Sequence, residues 1–169
     1  RSGDFVTLRD LYEETGVDAA RYWFLMRRSD THLVFDIGLA ASRTDENPVF
    51  YVQMAHARMC GIFRNAERSV ESVTGELNID TLGEQDRELL NFAAAFPDAV
   101  ARAARDREPH RITGYLDELA RLTHAWYHGC RVLGEPHEVE HARLLLARAV
   151  RQVLANGLTL LGVSAPERM

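Results

Sequence analysis

The stretch NPVFYVQMAHARMCGIFRN, Asn47 to Asn65, decides how the rest of the chain is read. Asn is a preferred residue just before a helix, and Pro fits the first helical position, where its missing N–H needs no partner. A long helix is therefore predicted to start at Pro48, and no breaker interrupts it until about Ser72, before Gly75. Working outward toward the C-terminus, Gln85 to Phe96 reads as the next helix, and Pro97 opens another that reaches about Arg107. Pro109 to Leu133 and Pro136 to Leu161 are two further apolar-periodic segments, stopped by Gly134 and Gly162. Thr74 to Gly83 is the one long, weakly patterned connection. The expected fold class is all-α, a helical bundle.

Toward the N-terminus the elements are shorter. Thr7 and Asp10 mark a helix from about Leu8 to Thr15 that Gly16 ends, and Asp18 is placed to cap a second helix running to Arg28. The aromatic and aliphatic run Tyr22 to Met26 in that helix predicts burial on several sides. Leu33 to Ile37 is apolar with two β-branched residues, which predicts a short strand before Gly38. Residues 1–46 are thus read as a small N-terminal element and residues 47–169 as the main domain.

With 169 residues, 46% of them hydrophobic, the chain can bury one full core. No run is apolar and long enough to span a membrane, and no signal-peptide pattern opens the chain, so a soluble cytoplasmic protein is expected. Cys60 and Cys130 form no CxxC pair and read as two buried free thiols. A formal net charge of -5 argues against a generic nucleic-acid binder. The acidic residues, however, concentrate in Asp10 to Glu14, Asp45 to Glu46 and Glu71 to Asp86. Arg102, Arg105, Arg107, His110, Arg111 and Arg121 form a locally basic stretch that could meet phosphates.

Several chemistries can be weighed directly. His137-Glu138-Val139-Glu140-His141 is a literal H-E-x-x-H, which on a helix sets two imidazoles one turn apart. A catalytic zinc needs a third protein ligand, and Ala142 to Pro166 contains no His, Cys, Asp or Glu. The stretch is read instead as an exposed first turn, where acidic residues favour the helix dipole, and no metal is expected. GxxxxGK[ST] and GxGxxG are both absent, so no nucleotide cradle is expected here, and the remaining histidines suggest no catalytic triad. What stands out is a pair of helices dense in aromatics, arginines and histidines, Phe50 to Arg58 and His124 to Arg131. Helical spacing aligns Tyr51, Met54 and Arg58, and likewise Tyr127 with Arg131. Such groups read single-stranded RNA, although aromatic residues at this spacing are more often simply core.

Four blocks carry a resemblance. DENPVFYVQMAHARMCGIFR (Asp45 to Arg64) looks like the opening helix of the DALR anticodon-binding domain of bacterial-type arginyl-tRNA synthetases. SGDFVTLRDLYEETGVDAARYWFLMR (Ser2 to Arg27) resembles the segment after the KMSKS-type loop of those enzymes. GYLDELARLTHAWYHGCRVL (Gly114 to Leu133) and ARAVRQVLANGLTLLGVSAPERM (Ala147 to Met169) resemble a later helix and the family's terminal helix with its P-E-R-M finish.

The resemblance implies recognition of the anticodon of arginine tRNA, in a parent enzyme that attaches arginine to tRNA with ATP and Mg. Its catalytic domain would lie upstream of Arg1, the present chain would carry no cofactor and be inactive alone, and a monomer is expected. Residue by residue, it implies base stacking on Tyr51, the first aromatic of the family's Y-x-Q-Y-A-H motif, whose second aromatic is here Met54. It further implies anticodon contacts from Tyr127, Arg131 and Met169, with Arg58 and Trp126 beside them. Arg9 or Arg21 in the N-terminal element would touch the tRNA stem. The competing readings are a helical protein-interaction module and the anticodon domain of another class I synthetase.

Overall fold

A computed structural model describes residues 6–169, so residues 2–5 of the Ser2 to Arg27 block lie outside the described residues. Among the described residues eight α-helices follow one another: α1 (Leu8–Thr15), α2 (Val17–Leu25), α3 (Ile37–Ala41), α4 (Pro48–Asn65), α5 (Glu84–Ala94), α6 (Phe96–Asp106), α7 (His110–Gly129) and α8 (His137–Leu160). Two single 3-10 turns, Val70–Ser72 and Ile79–Thr81, interrupt the connection between α4 and α5.

The bundle is organised around α4, α7 and α8, with α5 and α6 packed on α7. Its core joins Val52, Ala55, Met59 and Phe63 of α4 to Leu116, Leu119 and Ala120 of α7 and to Leu144, Ala147, Val150 and Leu154 of α8. Gly157 lets α7 and α8 approach closely, because a Cβ there would stand 2.6 Å from the Leu116 side chain. Ala19, Tyr22 and Trp23 of α2 belong to the same core. The Tyr22 hydroxyl donates to Asp117 of α7 at 2.6 Å. Burial of that carboxyl raises the Asp117 pKa.

Several expectations are corrected. Leu33 to Phe35 belongs to no regular element, no strand exists among the described residues, and Ile37 already belongs to α3. Leu33, Phe35 and Ile37 are half-buried while Val34 and Asp36 are exposed, so the alternation reflects an irregular segment lying on helices. Phe35, for example, contacts Trp23 with ring centroids 5.2 Å apart. α4 stops at Asn65 rather than Ser72: Glu67 turns left-handed with φ 53, and Ser69 caps the following 3-10 turn. The polar run from Arg64 to Ser69 has no apolar face to bury, so nothing rewards a longer helix. α2 ends at Leu25, not Arg28, and α7 ends at Gly129, not Leu133.

Two caps also differ from expectation. Thr7 caps α1 through a reciprocal pair with Asp10. Asn47 does precede α4, but its buried amide donates to Ala40 O (2.9 Å) and Ser42 O (2.8 Å) and makes no side-chain cap bond. Asp18 likewise does not cap α2. It accepts from the Ser164 backbone N–H at 3.2 Å and from Gln53 Nε2 at 2.9 Å, tying the chain's end to α2 and α4.

Candidate nucleic-acid interface

Tyr51, Met54 and Arg58 lie on one face of α4, all half-buried, and that face meets the C-terminal half of α7. Arg58 is the hub. Its Nη1 donates to His124 Nδ1 at 2.7 Å and approaches His128 Nε2 at 3.2 Å, while its guanidinium carbon lies 5.4 Å from the Tyr127 ring centroid. A guanidinium can only donate, so these bonds require the facing ring nitrogens to be unprotonated. The other nitrogen of His124 then carries its proton and donates to Tyr51 O at 3.0 Å. Burial lowers the His124 pKa, and the nearby Arg58 charge acts the same way, so the neutral ring fits its post. The Tyr51 ring leans on His124 with centroids 4.3 Å apart. Burial, followed by the nearby Asp45 charge, raises the Tyr51 pKa and keeps the phenol a neutral donor.

Tyr127 is 37% exposed, with one face toward Arg58. A flat ring backed by a fixed cation, with open water in front, can stack on a splayed base while the guanidinium supplies charge and forked hydrogen bonds.

The two other candidates on the α7 segment do not join this cluster as expected. Trp126 is 1% exposed, and its indole N–H donates to the buried Asp86 at 2.6 Å, so it cannot stack on a ligand here. Adjacent helical residues differ by 100° in direction, which sends Trp126 into the core and Tyr127 out. Arg131 lies beyond the end of α7, so it does not share a helical face with Tyr127; its Nε turns back to Leu133 O at 2.9 Å.

The chain's end is held beside α4. Gln53 Nε2 donates to Ser164 O at 3.0 Å, His56 Nδ1 to Pro166 O at 2.9 Å, and Arg64 to Glu167 O at 2.7 Å. Met169, half exposed, and Arg168 therefore edge a cleft of about 410 Å³ that also includes Arg43, Phe50 and Gln53. Phe50 follows Val49 on α4, and neither Tyr51, Met54 nor Arg58 lines this cleft, so Met169 stands apart from the Arg58 cluster.

In the N-terminal element Arg9 is exposed, whereas Arg21 donates from Nε to Leu161 O at 3.1 Å. There it neutralises the carbonyl end of α8, a structural task. His137 and His141 lie with parallel rings 6.2 Å apart, and Glu140 accepts the Gly134 backbone N–H at 2.8 Å, so the H-E-x-x-H stretch closes the loop ahead of α8. Cys60 is buried, but Cys130 is only half-buried, with its thiol directed to Gln85.

His124, His128 and Phe50 line these surfaces without being individually marked by the sequence. The available signal was spacing: His124 and His128 are one turn apart and flank Tyr127. Nothing local, however, showed that Arg58, 66 residues from His124, would bind both.

The same architecture occurs in known proteins. The chain is 51% identical over 173 residues to an arginine–tRNA ligase of Desulforudis audaxviator, which spans 100% of this chain and 31% of that relative. It is also 51% identical over 172 residues to an arginine–tRNA ligase of Symbiobacterium thermophilum, again 100% of this chain and 31% of the relative. The chain thus spans about a third of the length of these curated relatives. The solved arginyl-tRNA synthetase of Thermus thermophilus superposes on it with a TM-score of 0.79 at 30% identity, covering 98% of this chain and 28% of that one. With residues 52–169 matching the DALR anticodon binding domain, and with both relatives aligned along its whole length, the chain belongs to the DALR anticodon-binding family of arginine–tRNA ligases.

Proposed function

We propose that this chain recognises the anticodon loop of arginine tRNA as part of an arginine–tRNA ligase. The observation that carries this reading is the exposed Tyr127 ring backed by Arg58, which two histidines hold in place beside Tyr51. Bases of the loop unstack, one stacks on Tyr127, and base edges meet Arg58 and the Tyr51 hydroxyl. Met54 and Met169 supply polarizable contact at the rim. Arg131 and Arg9 are exposed and are assigned to backbone phosphates.

In the whole ligase, residues 47–169 read the anticodon and residues 1–46 form the stem-contact element. The ligation itself, with ATP and Mg, is assigned to the catalytic domain, since this chain has no glycine-rich phosphate loop. We further assign the ligase to the cytoplasm and to the monomeric state. No described helix is long and apolar enough to cross a membrane.

The test is a filter-binding titration of this chain against arginine tRNA and an anticodon-swapped version, at low and physiological salt. Tighter binding of the native anticodon is expected. Salt-sensitive binding without preference would reduce the face to a generic RNA surface. No binding even at low salt would mean that the chain needs its catalytic domain or that it is a protein-interaction module.

A further inference from the structure

Away from the Tyr127 face, the C-terminal end of α2 lies beside the turn between α6 and α7. Between them is a cleft of about 310 Å³, walled by Phe24, Arg27 and Arg28 on one side and by Arg107, Glu108 and His110 on the other. Its charges are unevenly satisfied. Arg28 pairs with Asp30 at 3.3 Å, and Arg111, just outside, pairs with Asp106 and Glu108. Among the described residues, Arg27, Arg107 and His110 have no side-chain hydrogen bond or ion pair, although they come from three different elements.

Arg107 is also notable for its backbone, φ 57 and ψ 42, the left-handed conformation in which helices usually end on glycine. An arginine there bears Cβ strain and places its side chain at the rim of the cleft. A cation after a helix end does complement the helix dipole, which accounts for Arg107 alone. It does not account for Arg27 and His110 converging on the same space. Arg102 and Arg105, exposed on α6, extend the basic surface, whereas the chain as a whole carries a formal charge of -5. A local cationic cleft on an acidic chain selects an anion from its surroundings.

Its placement indicates which anion. His110 and His128 are 18 residues apart on α7, which is five full turns, so they share one stripe of the helix about 27 Å apart. Arg121, paired with Glu118 at 2.6 Å, falls on the same stripe between them, at 11 residues from His110. The far end of this stripe is the histidine that holds Arg58. A polyanion resting on Tyr127 and continuing along α7 therefore reaches the cleft, where arginines on both banks and the 45% exposed Phe24 ring suit a sugar-phosphate chain better than a compact ion.

We propose that the α2/α6–α7 cleft is a phosphodiester-binding site, gripping the backbone of the same RNA whose loop lies on Tyr51 and Tyr127; it rests on the function proposed above. The contact positions the RNA and carries no sequence information.

The test compares the chain with its Arg27→Gln/Arg107→Gln double variant, measuring tRNA affinity as a function of salt for native and anticodon-swapped tRNA. Each lost phosphate contact should reduce the slope of log affinity against log salt by roughly one. Affinity should fall by the same factor for both tRNAs, leaving their ratio unchanged. An unchanged slope would overturn the site. If the unmodified chain shows no anticodon preference, the proposed function fails, while the slope still decides the cleft. Arg107→Gly separates ligand binding from folding: relief of the left-handed strain should raise Tm while the slope still falls. A glycine variant that binds with the full slope would make Arg107 a helix terminator only, and the site would be wrong.

Discussion

Replacing Asp86 by Ala should destabilise the chain more than almost any other single surface-sparing change. The Asp86 carboxylate, with a side chain 1% exposed, pairs with Arg143 at 3.1 Å. It also accepts the Trp126 indole N–H at 2.6 Å and the Gly83 backbone N–H at 2.9 Å. Burial on its own would raise the Asp86 pKa, but the hydrogen bonds from Arg143, Trp126 and Gly83 outweigh it and hold the pKa below the usual carboxylate value. Removing the carboxylate strands a mostly buried guanidinium and an indole N–H in the core. Breaking a buried pair in this way costs about 3 to 5 kcal/mol. The orphaned N–H falls within that range and is not added to it. For a chain of this size each kcal/mol corresponds to about 2 to 4 °C, so Tm should fall by about 6 to 20 °C. Urea and thermal unfolding followed by circular dichroism would measure this. A loss below about 1 kcal/mol would refute the reasoning, because it would mean the pair contributes no more than an exposed one. Replacing both partners, Asp86→Leu with Arg143→Met, should recover much of the loss. The stabilisation is intact above the unfolded-chain value near ~3.9 and is lost as pH falls through the lower folded pKa. Trp126→Phe should likewise lower stability, by about 1 to 3 kcal/mol, and leave the RNA affinity of the folded protein unchanged.

Three further outcomes concern the interface. Tyr127→Ala should weaken tRNA binding by about 1 to 3 kcal/mol, the range for a lost base–aromatic stack, whereas Tyr127→Phe should change it little; equal affinities for Ala and wild type would remove Tyr127 from the site. His124→Phe should reduce discrimination between native and swapped anticodons more than total affinity, because Arg58 keeps its charge but loses its shortest hydrogen bond; an unchanged affinity ratio in filter binding would count against His124 as a positioning residue. Burial lowers the folded pKa of both His56 and His124, so their contribution to stability should be present above about 6.5 and decline as pH falls through the lower folded values. Urea midpoints that stay constant between pH 7 and pH 5 would contradict this.

Much of the helical order was legible because its signals are local. Asn47-Pro48 marks the start of α4, Thr7 with Asp10 the start of α1, and Pro136 the start of α8 at His137. Stops were less legible where no glycine or proline marks them, as at Asn65, since a helix ends there for want of something to pack against. Leu33 to Ile37 shows the converse. Alternating burial arises whether a segment lies in a sheet or, as here, on helices, and only a partner strand distinguishes the two.

At the candidate site, helical spacing was enough to align Tyr51, Met54 and Arg58, but it also paired Tyr127 with Arg131, which lies beyond the end of α7; Met169 was named through family resemblance alone. Spacing could not separate Trp126 from Tyr127, because α7 is contacted by α2, α4, α5, α6 and α8 and has no simple polar and apolar faces.

The sequence by itself determined a mainly helical chain, the order and starts of its main helices, and the family to which its motifs point, because capping, proline geometry and apolar period act over a few residues. Only the tertiary structure decided that Trp126 serves the core and Tyr127 the surface, that His124 and His128 hold Arg58, and that Arg27 shares a cleft with Arg107. Those relations join residues that lie dozens of positions apart, and they depend on which helix faces pack against each other, which is set by the shape of the whole core.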